Sequence, residues 1–237
     1  MSRRRRKALV TGGTRGIGRA TALALQAAGY DVVVTGTTPQ RRGPRGCGYL
    51  ACDFADCQAV EGLGTLVARM GLSVLVNNAG INVVGPVASY EPEEFIRIQQ
   101  VNVTAPFLLC RAVTPGMCRR RFGRIVNITS LYGIVSRAGR AAYSASKFGL
   151  FGFSRALALE IAPYNVLVNC LAPGFVETDM TRQVLGAKGM AQMRAQIPMK
   201  RMAQPEEIAR YIRFLASEEN TYLTGQQVVV DGGFTSG

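Results

Sequence analysis

The 237-residue sequence contains no histidine, and none of its six cysteines (Cys47, Cys52, Cys57, Cys110, Cys118 and Cys170) sits in a C-x-x-C pair. A zinc site would therefore need an unusual ligand set, and no metal is expected. No apolar run reaches the roughly 18 residues that span a bilayer. The apolar stretch after the first residues is too short for a secretory signal. These absences lead us to expect reduced thiols and a cytoplasmic location without membrane attachment. Acidic residues are scarce, 15 against 28 Lys and Arg, for a net charge of +13. Much of the excess lies in the run Arg3 to Arg6 with Lys7, and in Arg119, Arg120, Arg121 and Arg124. No aromatic residues interleave these runs and no nucleic-acid-binding motif accompanies them. We read them as a solvated N-terminal run and a basic surface patch rather than a nucleic-acid surface. A basic rim also suits an anionic substrate carrier.

What the sequence does hold is enough apolar material for a core, 48% of residues. The length suits one large α/β domain, 1–237. Short apolar runs alternate with amphipathic stretches. Strands are predicted at Lys7–Thr11, Asp31–Thr35, Gly48–Cys52, Ser73–Val76, Arg124–Thr129, Val166–Leu171 and Gln227–Val230. Helices are predicted at Ile17–Ala28, Ala55–Met70, Glu93–Met117 with a kink at Pro106, Ala141–Ile161 and Pro205–Leu215. Pro39–Gly46 stands where a helix would connect strands two and three, but its prolines and glycines predict a loop. The alternation implies an α/β, Rossmann-type, doubly wound parallel sheet of about seven strands with helices on both faces.

The chemistry begins at Thr11–Gly18 (TGGTRGIG), which follows a strand and opens a helix. Glycines let the backbone turn tightly and approach a pyrophosphate, and the free N–H groups of the helix start favour an anion. Further along, Tyr143 and Lys147 stand four apart on one helix face. A free tyrosine has a pKa of about 10, too high for efficient proton transfer near neutrality. A lysine beside it should lower that pKa by stabilising the phenolate. Ser130 adds a short hydroxyl at the end of a strand. Alone, each is unremarkable: a tyrosine–lysine pair can be an ordinary helix surface, and a serine an ordinary turn residue.

The G-x-x-x-G-x-G spacing, with Asp53, Asn77-Asn78-Ala79-Gly80, Asn102, Ser130, Tyr143-x-x-x-Lys147 and Pro173-Gly174 in order, resembles the short-chain dehydrogenase/reductase family along almost the whole chain. The resemblance implies an oxidoreductase with Asn102, Ser130, Tyr143 and Lys147 catalytic. It implies a dinucleotide held by Gly12, Thr14, Arg15, Gly16, Ile17, Gly18, Thr37, Asp53, Asn78, Ala79, Gly80, Tyr143, Lys147, Pro173, Gly174, Val176 and Thr178. Asp53 would hold the adenine, Lys147 the nicotinamide ribose, and Asn102 a water leading to solvent. The second strand ends in Thr35-Gly36-Thr37-Thr38, without the acid that bonds an NAD ribose. With Arg15 nearby, and Arg41 or Arg42 as further candidates, NADPH is favoured and NADH remains possible.

Residues 175–202 are expected to form a substrate lid, with Met180, Val184, Leu185, Met190, Met193, Ile197 and Met199 dividing between pocket and anchor. Within the family the sequence looks most like the 3-oxoacyl-[acyl-carrier-protein] reductases, through Ala172–Thr181 (APGFVETDMT) and Val229–Gly233 (VVDGG). That implies reduction of a ketone, with a 3-oxoacyl thioester as candidate substrate and an acyl-carrier protein as candidate partner beside Arg119, Arg120, Arg121 and Arg124. Pro163-Tyr164-Asn165 lacks the further basic residue such reductases often carry. The alternatives are an alcohol, polyol or sugar dehydrogenase and a non-enzymatic dinucleotide-binding protein. The resemblance also implies a homotetramer, paired through the helices at Glu93–Met117 and Ala141–Ile161 and through the last strand. Phe148, Leu150, Phe151, Phe153 and Leu157 are apolar enough to be buried, either in the chain's own core or against a partner.

Overall fold

The computed structural model describes residues 5–39 and 42–236. Arg3, Arg4 and Arg41 lie outside the described residues, as do the side chains of Met180 and Val184. Seven strands form one sheet: β1 (Lys7–Val10), β2 (Asp31–Gly36), β3 (Gly48–Ala51), β4 (Val74–Asn77), β5 (Gly123–Ile128), β6 (Val166–Pro173) and β7 (Gln227–Val230). Their order is β3-β2-β1-β4-β5-β6-β7, and every pairing is parallel. The helices are α1 (Gly16–Ala27), α2 (Cys57–Arg69), α3 (Pro92–Gln99), α4 (Ala105–Arg119), α5 (Ala141–Ile161), α6 (Asp179–Gln196) and α7 (Pro205–Ala216).

Successive strand residues point to opposite faces, so apolar runs buried on both sides recruit two helical layers. Leu9, Leu75, Ile125 and Val168 pack with α2 and α4 residues such as Val60, Leu63, Leu109 and Val113. Val10, Val34, Val76 and Val126 pack on the other face with Ala22 and Leu25 of α1 and Ile208 and Ile212 of α7. The expected doubly wound sheet is present, and β1 lies where its order reverses.

Four expectations need correction. α2 starts at Cys57 rather than Ala55, because Asp56 Oδ1 accepts from the N–H groups of Gln58 and Ala59 at 2.9 and 3.2 Å and caps it there. The long helix predicted over Glu93–Met117 is two α-helices joined by a π-helical turn, Gln100–Thr104. Pro106 has no N–H for the carbonyl of Asn102, so the ladder widens just before it. The lid contains a helix that was not anticipated, α6, broken at Gly186 where φ is 62°. Finally, Arg124 is no surface charge: it is 2% exposed and donates to the carbonyls of Ser217, Gly123, Asn165 and Asn220. The run's Arg6 is likewise docked, ion-paired with Glu218 and stacked 3.6 Å from the Phe122 ring centroid. No helix interrupts the described residues between β2 and β3, as the composition of Pro39–Gly46 predicted. Among the described residues no helix is long and apolar enough to cross a membrane.

Candidate active site

The crossovers from β1 leave in opposite directions, which opens a crevice at the C-terminal ends of the central strands. A cleft of about 510 Å³ occupies it. Gly12, Thr14, Arg15, Gly16, Ile17, Gly18, Thr37, Asp53, Asn78, Ala79, Gly80, Ser130, Tyr143, Lys147, Pro173, Gly174, Val176 and Thr178 all line it. Asn102 does not; it stands just behind, 1% exposed.

One wall is the glycine turn. Gly12 and Gly16 have φ of 63° and 52°, a region where side chains are strained. A Cβ on Gly18 would lie 2.4 Å from the Gly12 carbonyl oxygen, so the turn closes only without one. Thr11 Oγ1 accepts from the N–H groups of Asn78 and Ala79, both at 2.9 Å, and Asn78 Nδ2 donates back to Thr11 O and Gly12 O. This lacing ties the end of β4 to the turn after β1. α1 begins at Gly16 with no side-chain cap from Arg15, so its first N–H groups are left for an anion. The side-chain-free cradle above the glycines and the uncapped helix start fit the pyrophosphate of a dinucleotide.

At the β2 side, Gly36, Thr37 and Thr38 line the cleft without an acid. Asp53 lines it too, and its Oδ1 accepts from Ala55 N–H at 3.0 Å. Arg15 reaches the cleft, whereas Arg42 is exposed away from it. At the other side, β6 ends in Pro173-Gly174; a Cβ on Gly174 would meet Asp231 Cα at 2.6 Å. Val176 bridges to Ala203, and Thr178 Oγ1 accepts from Thr181 N–H to cap α6.

The candidate proton-handling groups meet where β5 ends and α5 begins. Ser130 caps a short 3-10 turn, Leu131–Gly133, by accepting from Tyr132 N–H at 3.1 Å, and its hydroxyl lies close enough to the Tyr143 phenol to favour its ionised form. Lys147 is 4% exposed and donates to Ile128 O at 2.8 Å, with Nζ 5.5 Å from the Tyr143 ring centroid. Burial pushes its pKa down to about 8. Tyr143 differs from the sequence expectation. Burial raises its pKa, and the Ser130 hydroxyl and the Arg140 charge oppose that only in part. Desolvation of the phenolate outweighs the cations, while the Lys147 ammonium is directed at a carbonyl rather than the phenol oxygen.

Asn102 is held in the π-turn from three sides. Its Oδ1 accepts from Ile81 N–H at 2.9 Å, and its Nδ2 donates to Ile81 O and to Ser146 Oγ at 2.9 and 3.0 Å. Asn77 donates to Asn127 Oδ1 at 2.8 Å, and Asn127 donates to Ser154, a buried polar ladder across the sheet. Sequence reasoning missed Ser146, Tyr132, Phe175 and Arg140. Arg140 alone carried a legible signal, a cation three residues before Tyr143. Within the lid, Leu185 lines the cleft, whereas Met190, Met193 and Ile197 are buried in a separate anchoring cluster with Met202. Met199 is exposed.

A dinucleotide-binding crevice bordered by a buried serine, a half-buried tyrosine and a buried lysine defines a class of nicotinamide-dependent oxidoreductases. The chain belongs to the short-chain dehydrogenase/reductase family: residues 12–235 match the family model described as enoyl-(acyl carrier protein) reductase. It is 41% identical over 239 residues to the 3-oxoacyl-[acyl-carrier-protein] reductase FabG of Aquifex aeolicus, covering 95% of both chains. Among solved structures it resembles a protein assigned as an NAD(P)-dependent gluconate 5-dehydrogenase of Beutenbergia cavernae, with bound NADP (34% identity, TM-score 0.93, 98% and 97% of the two chains). It also resembles a 4-hydroxyisoleucine dehydrogenase complexed with NADH (28% identity, TM-score 0.90, 98% and 99%).

Proposed function

We propose that the protein is an NADPH-dependent reductase of a ketone, with a 3-oxoacyl thioester as candidate substrate. One observation carries the reading: buried Ser130 and Lys147 and half-buried Tyr143 converge on a cleft whose other wall is the glycine turn. When bound, the cofactor supplies the hydride. Ser130 Oγ orients the substrate oxygen. Tyr143, beside Ser130 in the cleft, gives that oxygen a proton. The raised pKa keeps the phenol protonated near neutrality, the state a reductase needs. We assign to Lys147 the nicotinamide ribose and, through a charge 5.5 Å from the Tyr143 ring centroid, a share with Arg140 in offsetting the phenolate left behind. The main-chain carbonyl of Asn102, which Pro106 cannot serve, is the acceptor we assign to the water that returns a proton to Lys147.

NADPH is favoured because the β2 end offers threonines instead of an acid and Arg15 stands beside them to meet a 2′-phosphate. Residues 175–202 act as the lid of a single domain. A carrier protein is a candidate partner through the FabG likeness. Arg119, Arg120 and Arg121 close α4, immediately before β5 begins at Gly123. They therefore lie at the N-terminal end of the sheet, opposite the cleft, and Arg124 is committed to the core. A carrier held there reaches a cleft only if a second copy brings its own beside that end, which links this reading to a homotetramer.

A panel of ketones, including acetoacetyl thioesters, tested with NADPH and NADH beside Tyr143→Phe, decides the matter. Higher kcat/KM with NADPH and a loss of about 10²–10⁴-fold in Tyr143→Phe are expected. Retention of most of the rate by that variant would rule out the mechanism, and a preference for NADH would rule out the cofactor assignment.

A further inference from the structure

Arg140 is the residue of the cleft that the chemistry above leaves unused. Its backbone caps the start of α5, one turn before Tyr143. Its side chain lines the cleft, yet the residue is only 8% exposed. Arginine is seldom so buried without a partner, because a desolvated charge is costly. Among the described residues no carboxylate lies within ion-pair distance of it and no acceptor takes a hydrogen bond from its guanidinium. It rests instead over the Tyr132 ring, 5.3 Å from the centroid. Tyr132 in turn packs edge-on against Tyr143 and Phe175, with centroids 6.5 and 6.4 Å apart. The ring fixes the guanidinium without satisfying any of its five donors. The Arg140 charge is felt at the Tyr143 phenol. An oriented, unpartnered guanidinium thus faces the space beside the proton donor.

We propose that Arg140 binds a carboxylate of the substrate, so that this cleft takes a short oxo acid, or the matching hydroxy acid, in preference to its neutral ester. A guanidinium and a carboxylate form paired, charge-assisted hydrogen bonds whose geometry fixes orientation as well as affinity. An acid bound there presents a carbonyl a few bonds away to Ser130 and Tyr143, while Tyr132 and Phe175 cover its apolar part. This assignment rests on the reductase reading, keeps its ketone reduction, and replaces the candidate carrier thioester with a free acid.

The test compares 3-oxobutanoate with its methyl ester in wild type, Arg140→Gln and Arg140→Lys, using NADPH. Loss of a charge next to Tyr143 slows both reactions, so the acid-to-ester ratio of kcat/KM is the readout. The ratio should favour the acid in wild type, fall tenfold or more in Arg140→Gln, and recover in part in Arg140→Lys. The fall should come mainly through KM for the acid. A second arm needs no turnover: butanoate, which has the carboxylate but no reducible carbonyl, is titrated calorimetrically into the NADP⁺-loaded proteins. It should bind wild type and not Arg140→Gln, whose NADP⁺ affinity and melting temperature report that the fold is intact. An unchanged ratio, or butanoate binding equally to or absent from both proteins, overturns the assignment. If wild type reduces neither compound but binds butanoate through Arg140, the reductase reading fails and the carboxylate site stands.

Discussion

At the scale of single residues, burial decides the electrostatics of the site more than the neighbouring charges do. Lys147 has a pKa near 8 because its ammonium is desolvated. The sign gives an activity prediction. The ammonium is present below about pH 8 and lost above it, so kcat/KM for carbonyl reduction should fall as pH rises through about 8. Tyr143, raised above its ordinary value, does not titrate in that range. A flat profile from pH 6 to 9.5 would count against a role for the Lys147 charge. Stability should run the other way. The unfolded lysine, with a pKa of 10.5, binds a proton that the folded one has lost between about pH 8 and 10.5, so this residue makes folding more favourable as pH rises through that window. Denaturant midpoints of wild type and Lys147→Met, compared across it, measure the effect.

At the scale of elements, the site depends on where regular structure is interrupted. The turn into α1 closes because Gly18 lets the Gly12 carbonyl and the Asn78 amide come close; an added Cβ would meet them at 2.4 and 2.5 Å. Both contacts involve atoms that other hydrogen bonds hold in place. Gly18→Ala should therefore cost about 1–3 kcal/mol by overpacking, visible in the denaturant midpoint. It should also weaken NADPH binding at least tenfold, measured calorimetrically. Wild-type affinity in that variant would mean that the turn does not hold the dinucleotide. The π-turn at Gln100–Thr104 works in the same manner, since the irregularity seats Asn102 against Ile81 and Ser146.

At the scale of the whole molecule, apolar surface is left uncovered on α3, α4 and α5. Phe95, Ile96, Phe107 and Phe148 are each more than 40% exposed. The apolar residues singled out on α5 divide: Leu150 is buried in the chain, Phe153 and Leu157 pack half-buried against the core, and Phe148 faces outward. Contiguous exposed aromatics on paired helices are a feature of protein–protein surfaces. Light scattering should give about four times the mass of one chain, and a charge on this face, as in Phe107→Glu, should reduce that mass. A wild-type protein of one-chain mass would remove the tetramer and, with it, the route by which Arg119–Arg121 could serve a cleft.

The periodicity of apolar residues by itself determined the fold class. Nearly continuous apolar runs such as Asp31–Thr35 and Arg124–Thr129, alternating with helical stretches, fit parallel strands covered on both faces, and each of the seven strands lies within two residues of where its pattern placed it. The glycine turn and the Tyr143–Lys147 pair were legible because local geometry, a turn or one helix face, fixes their relations, whereas Ser130 comes to them only through the packing of β5 and α5. What only the tertiary structure decided involves groups distant in sequence. Whether Tyr143 is more or less acidic depends on how far the packed site excludes water, and burial prevailed over the cations. Arg124 reads as surface charge until four carbonyls from three separate segments enclose it. Arg140 gains its meaning in the same way: nothing in a lone arginine says that folding will bury it beside Tyr143 without an anion of its own.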